Sequence, residues 1–129
     1  MVPKNEKSFN VNVVGEISGE RYEGDFSCVC VPYAALRNKI SRDEIRETGD
    51  LDNVTTELFL RARWLVNSQN RLLSWPDWWS GTAGGARLID DNVLQEVYDK
   101  CIEAEIEWRK AIKDKADKAL GATPATPQA

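Results

Sequence analysis

The chain has 129 residues, of which 42% are hydrophobic and 29% charged, a composition typical of a single globular domain. Its net charge of −4 and pI near 4.9 argue against general nucleic-acid binding and suit either solubility or docking onto a basic partner. No apolar run approaches the ~20 residues of a membrane span, and residues 1–7 lack the apolar core of a signal peptide. We therefore expect a cytoplasmic protein without a membrane partner.

Residues 8–31 carry the alternating pattern of two antiparallel strands, whereas residues 1–7 are polar and predicted to fray. Ser18 and Gly19 predict the turn between the strands, and Gly24 predicts a bulge or close packing. The apolar faces consist of Phe9, Val11 and Val13 on the first strand and Tyr22, Phe26, Cys28 and Cys30 on the second. Such a hairpin is marginal alone, so later helices or another subunit must cover it.

Helical spacing follows Pro32, which we expect to end the second strand. A short helix or turn is predicted around residues 33–40, and a capping box at Ser41 and Glu44 predicts a separate helix over residues 42–48 that stops at Gly49. A longer helix opens near Asn53 or Val54, and the polar residues 67–71 interrupt its pattern. Whether it continues through Leu73 is left open. Its predicted apolar face is Leu58, Phe59, Ala62, Leu65 and Val66.

The most regular helical period covers residues 92–119, with N-cap residue types at Asp90, Asp91 and Asn92 and a possible capping box between Asn92 and Gln95. Its apolar positions are Val93, Leu94, Val97, Tyr98, Cys101, Ile102, Ile106, Trp108 and Ile112. From Lys110 onward the chain is mostly Lys, Asp and Ala, so the last two turns should project into solvent or reach a partner. We predict one α+β domain over residues 1–120, in which the hairpin packs with two to four helices, and a disordered Ala/Thr/Pro tail over residues 121–129.

The chain offers little chemistry. It has no histidine, which excludes Ser-His-Asp and Cys-His catalysis and His-ligated metals. Three cysteines without a signal peptide indicate reduced thiols, and we interpret Cys28, Cys30 and Cys101 as small core residues. The glycine-rich residues 81–85 lack the Lys and Ser/Thr of a phosphate-binding loop and read as a flexible connector. We therefore expect no enzyme, no metal and no cofactor.

Three of the five tryptophans fall within five residues, at Trp75, Trp78 and Trp79, with Pro76 favouring a non-helical presentation of the rings. Each ring can bury on the order of 200 Å². Core burial, a protein-docking patch and base or sugar stacking all remain open, and at least one ring should lie between the central and C-terminal helices. Together with Trp108, these three tryptophans are the candidate protein-binding residues.

The order of motifs resembles that of small proteins from the structural-gene modules of tailed bacteriophages, similar to those assigned as tail assembly chaperones. The resemblance rests on the hairpin of residues 9–26, the Trp-Pro-Asp-Trp-Trp segment of residues 75–79 and the Asp-Asp-Asn-Val-Leu-x-Glu-Val-Tyr segment of residues 90–98. It implies a non-enzymatic adaptor in the cytoplasm of the infected bacterium that holds the tape measure protein and recruits tail tube subunits. Many members also exist in a frameshift-extended form, which this chain does not show.

Two other functions stay open at this point. A permanent virion component, for capsid decoration or for the head–tail joint, would be present in mature particles and bind capsid or tail proteins. A small acidic inhibitor of a host defence protein is compatible with the net charge, although the charges are mixed rather than clustered. Any of these proteins could also form a homo-oligomer.

Overall fold

The computed structural model describes residues 5–30, 34–49 and 55–121, and it has the predicted α+β architecture. The elements in chain order are β1 (Glu6–Val14), β2 (Arg21–Val29), α1 (Ala34–Thr48), α2 (Thr56–Arg71), β3 (Leu72–Ser74), α3 (Asp77–Gly81) and α4 (Asp91–Gly121). The predictions about Pro32, the start of a helix at Asn53 or Val54 and the tail beyond Gly121 lie outside the described residues.

The sheet is antiparallel with the strand order β1-β2-β3. Phe9 pairs with Phe26, and their rings stack at 5.3 Å, which fixes the predicted apolar face toward the core. Glu6 and Lys7 are already paired with β2, so the prediction that residues 1–7 fray is wrong at these two positions. The polar side chains of these two residues do not prevent strand pairing, because β1 is an edge strand, where charged side chains are tolerated.

Helix α1 is continuous, and the predicted division at Ser41 is wrong. Ser41 lies exposed within the helix, because Leu36 and Ile40 pack on Val66 of α2 and hold the turn before it in place. The predicted stop is confirmed: α1 ends at Thr48, and Gly49 has a φ of +70°.

Helix α2 begins after Thr55, whose hydroxyl accepts a hydrogen bond from the Leu58 amide at 3.2 Å. Leu58 and Phe59 are 56% and 40% exposed, so their assignment to the apolar face is wrong, whereas Ala62, Leu65 and Val66 are buried as predicted. The N-terminal turn of α2 therefore leaves its apolar side chains in solvent.

The polar residues 67–71, which interrupt the apolar pattern of α2, remain helical, and Asn67, Ser68 and Arg71 are buried. Arg71 Nη1 lies 3.1 Å from Glu105 Oε1 of α4, and Asn67 Nδ2 donates to Glu44 Oε1 of α1 at 2.7 Å. These polar side chains therefore connect α2 to both α1 and α4. The helix ends at Arg71, and the chain turns extended at Leu72, which settles the question left open at Leu73.

Helix α4 covers the apolar face of the sheet. Its inward side chains join those of β1, β2, α2 and the tryptophan segment in one buried cluster, formed by Val11, Phe26, Cys28, Cys30, Leu65, Leu72, Trp79, Leu88, Val93, Leu94, Val97, Cys101 and Ala104. All three cysteines are free and buried, as predicted. Ile106 is 59% exposed, contrary to its predicted core position, because it lies on the side of α4 opposite Cys101 and Ala104. Residues 113–121 are exposed, as predicted for the last turns.

Candidate protein-binding site at the tryptophan cluster

The tryptophan segment changes direction twice within ten residues. β3 pairs with β2, and Pro76 then caps α3, where the Trp79 amide donates to the Pro76 carbonyl at 3.0 Å. Trp78 and Trp79 therefore lie in one helical turn, and the prediction of a non-helical presentation holds only for Trp75. Proline suits this boundary because its φ of −76° leads into a helix without needing a backbone donor.

Trp79 is the core member of the cluster, with 2% of its surface exposed. Its ring meets Phe26 edge-on at 5.8 Å and belongs to the same buried cluster as Leu65 of α2 and Leu94 of α4, as expected for a ring between these helices. Gly85 has a φ of +86°, and a Cβ on it would lie 2.6 Å from Trp79 Cη2. The glycine-rich turn therefore packs directly against this ring, and its interpretation as a flexible connector is wrong.

Trp78 is half-buried and ties α3 to β2. Its ring meets Tyr22 at 5.0 Å and Phe26 at 5.6 Å, both edge-on, and its indole N–H donates to the Glu23 carbonyl at 3.0 Å. Beside it, a Cβ on Gly24 would lie 2.6 Å from the ring of Pro76. This confirms the predicted close packing at Gly24, and no bulge occurs there.

Trp75 remains 45% exposed and forms a wall of a groove of about 240 Å³. Its indole N–H donates to Ser80 Oγ at 2.7 Å, which fixes the orientation of the ring. The groove is lined by Gln69, Leu72, Trp75, Trp79, Ser80 and Gly84. Leu73, 49% exposed, lies next to it on β3. The cluster thus combines a buried anchor at Trp79 with an exposed, positioned aromatic surface at Trp75.

Trp108 does not join this cluster. Leu94 lies beside Gly85 and the Trp79 ring, and fourteen residues of α4 separate it from Trp108, about 21 Å along the helix axis. Trp108 instead packs partly buried on the core near Ala104, at the end of the sheet that carries Cys30. Of the four predicted tryptophans, three come together, and Trp108 lies about four helical turns further along α4 than Leu94.

Sequence reasoning missed the groove residues Gln69, Leu72 and Ser80. Gln69 lies in the last turn of α2, Leu72 on the short strand β3 and Ser80 in the single turn of α3, and only the folded chain brings these three elements together. The one signal in the sequence was the apolar pair Leu72 and Leu73 directly after a helical pattern, which is compatible with a short edge strand.

Asp90, one of the three predicted N-cap residue types, directly precedes α4, and its backbone carbonyl accepts from the Val93 amide at 3.0 Å, but its side chain bonds to the β1–β2 turn. Its buried carboxylate accepts from the Ile17 amide at 2.7 Å, the Ser18 amide at 2.9 Å and Ser18 Oγ at 2.6 Å. These bonds, led by the Ser18 hydroxyl, hold the pKa of Asp90 below its usual value. Asn92 likewise bonds to the β1–β2 turn, where its amide donates to the Val14 carbonyl at 2.9 Å. Both residues join the turn to the start of α4.

The three thiols do not form a reactive site. A hydrogen bond from Cys101 lowers the pKa of Cys28, whereas burial raises the pKa of Cys30 to about 11. All three are at most 1% exposed, so no thiolate is presented to a substrate. Within the described residues, no group of three or more Cys, Asp or Glu side chains is arranged to hold a metal ion.

None of the helices over residues 34–49 and 55–121 has the length and apolar character needed to cross a membrane. Comparison of the chain with models of protein families, with curated proteins and with solved structures finds no match.

Proposed function

We propose that this protein is a non-enzymatic binding adaptor of a tailed bacteriophage, acting in the cytoplasm of the infected cell in the manner of a tail assembly chaperone. The phage assignment rests on the sequence motifs, and the binding role rests on the half-exposed Trp75 beside an apolar groove. Tryptophan is strongly enriched among residues that dominate binding energy at protein interfaces.

The groove favours a partner that presents a large apolar side chain on an extended segment. β3 is an edge strand, so an extended peptide can add to it through backbone hydrogen bonds. Such a peptide would pass Leu73 and place alternate side chains in the groove between Trp75 and Trp79. We propose a segment of the tape measure or tail tube protein as this peptide, bound before the tail polymerises.

The contact should depend on Trp75 and not on the stability of the fold. We would co-express the chain with the tape measure and tail tube proteins of its phage and measure which of them co-purifies. Trp75→Ala should abolish co-purification while the protein stays folded by circular dichroism. Ile89→Ala, which truncates another exposed apolar residue, is the matched control and should bind normally. Retained binding by Trp75→Ala would refute the groove as the contact.

Mass spectrometry of purified virions distinguishes the adaptor from a permanent virion component. An adaptor should be absent from mature particles but present in infected-cell lysates. Stoichiometric presence in particles would instead support a capsid-decorating or head–tail protein.

A further inference from the structure

Charge is segregated along the 31-residue helix α4. Its residues 91–108 include six acidic side chains and one basic side chain, whereas residues 109–121 include five basic and two acidic ones. The basic part is the exposed end of the helix, beyond the buried positions that end with Ala104. The two parts of one helix therefore carry opposite net charges on a surface that solvent reaches.

The same polarity appears in a narrow stripe on the outer face of α4. The stripe consists of Asp99, Glu103, Ile106, Lys110 and Lys113, spaced by four, three, four and three residues. This is the spacing of a coiled-coil seam, and it lies opposite the buried Val97, Cys101 and Ala104. We call these five residues the outer stripe. It runs from acidic through one apolar residue to basic.

Ile106 at the centre of the outer stripe is 59% exposed, although nearly every other large aliphatic side chain on α4 before Lys110 is at least half-buried. Asp99 and Glu103 stand one helical turn apart with like charge, an arrangement that destabilises an isolated helix. Burial and, second, the charge of Glu103 raise the pKa of Asp99. Lys100 reaches Glu103 only at 3.9 Å. The acidic half of the outer stripe would therefore gain from added positive charge.

We propose that a second copy of this chain packs antiparallel along the outer stripe, with the two-fold axis at Ile106. Asp99 and Lys113 are both seven residues from Ile106, about 10.5 Å along the axis in opposite directions. Antiparallel pairing therefore places Lys113 of each copy against Asp99 of the other, and Lys110 beside Glu103. The two Ile106 side chains meet between these charges. A parallel pairing would instead stack acid on acid and base on base.

The dimer is weak and sensitive to salt. Exposed ion pairs contribute about 0.2–1 kcal/mol each, and salt screens them. One isoleucine per copy adds little apolar burial compared with a full a/d seam. The pairing leaves the Trp75 groove uncovered, because that groove is formed by the α2–β3–α3 segment and not by α4.

Sedimentation velocity on the purified full chain tests the proposal. At ~1 mM protein and low salt the wild type should sediment with a measurable dimer fraction, and at ~1 M NaCl, where the screening length falls to ~3 Å, as a monomer. Lys113→Asp and Asp99→Lys should each weaken the dimer tenfold or more. The double variant Asp99→Lys/Lys113→Asp exchanges the charges and should restore it.

Lys118→Asp is the matched control, because it makes the same charge change on the exposed helix end but lies off the outer stripe. It should dimerise like the wild type. Lys113 and Lys118 are exposed and Asp99 is partly exposed, so each variant should keep the wild-type melting temperature within a few degrees. A wild type that is monomeric at low salt would overturn the proposal. Equal effects of Lys118→Asp and Lys113→Asp, or no recovery in the double variant, would do so as well.

Discussion

Trp79 and Trp75 should respond very differently to truncation, although both belong to the same five-residue segment. Trp79 is 2% exposed and is surrounded by Phe26, Trp78 and Gly85, whereas Trp75 is 45% exposed at the groove. Replacing each by alanine therefore measures how much of the cluster is core and how much is surface.

The expected cost follows from the area that each ring removes from water. A tryptophan buries about 200 Å², and at about 25 cal/mol per Å² the nearly complete burial of Trp79 corresponds to ~5 kcal/mol. This agrees with the ~3–5 kcal/mol typical of aromatic-to-alanine changes in cores. Roughly half of Trp75 stays in water, so its truncation should cost ~2.5 kcal/mol. With ~4 °C per kcal/mol for a domain of this size, the melting temperature should fall by ~12–20 °C for Trp79→Ala and by ~10 °C for Trp75→Ala.

Chemical unfolding in guanidinium chloride, followed by far-UV circular dichroism, measures both costs as shifts in midpoint at constant slope. Trp79→Phe is the control for folding, because it keeps a ring in the same seat and should lose much less than Trp79→Ala. If Trp75→Ala proved as costly as Trp79→Ala, the division of the cluster into anchor and surface would be wrong.

Three further changes probe other parts of the fold. Asp90→Asn should lower the melting temperature at pH 7. The difference in melting temperature between wild type and variant should shrink once the pH falls below about 3.8, the pKa of an aspartate in the unfolded chain, because the stability that comes from a depressed pKa is lost as the pH falls through the folded pKa. Gly85→Ala should destabilise by ~2–4 kcal/mol through its positive φ and the overlap with Trp79, whereas Gly81→Ala, which meets no atom within 4 Å, should be near neutral in the same unfolding assay. The three buried thiols should react with a disulfide reagent such as DTNB only after unfolding, and prompt labelling of the native protein would contradict their burial.

Patterns that recur along one element were predictable from the sequence. The alternation of Phe9, Val11 and Val13 and the helical period of Val93, Val97 and Cys101 identified their buried faces, because each element presents one face to one core. The polar part of α2 was not predictable. Asn67 and Arg71 look like a helix end until Glu44 and Glu105, 23 and 34 residues away, are placed beside them.

Within the candidate site, the segment was predicted but the distribution of its roles was not. Two contacts decide which ring is buried: Gly85 packs against Trp79, and the Glu23 carbonyl accepts a hydrogen bond from the Trp78 indole. Neither contact can be recognised from the neighbouring residues in the sequence. Asp90 illustrates the same limit. An aspartate directly before a helix is typical of a helix cap. Only the position of the β1–β2 turn shows that the Asp90 carboxylate accepts hydrogen bonds from Ile17 and Ser18, more than 70 positions earlier in the chain.

The separation in sequence between the β1–β2 hairpin and α4 has a consequence for synthesis. The apolar face of the hairpin is complete once Cys30 has been made, but its cover includes Cys101, more than 70 residues later. At about 5–20 residues per second, translation leaves roughly 4–14 s in which Val11 and Phe26 lack this helix. The nascent hairpin is therefore the stretch most open to a cellular chaperone or to mispairing at its strand edges, and a slowed ribosome between residues 30 and 101 should increase aggregation more than one slowed afterwards.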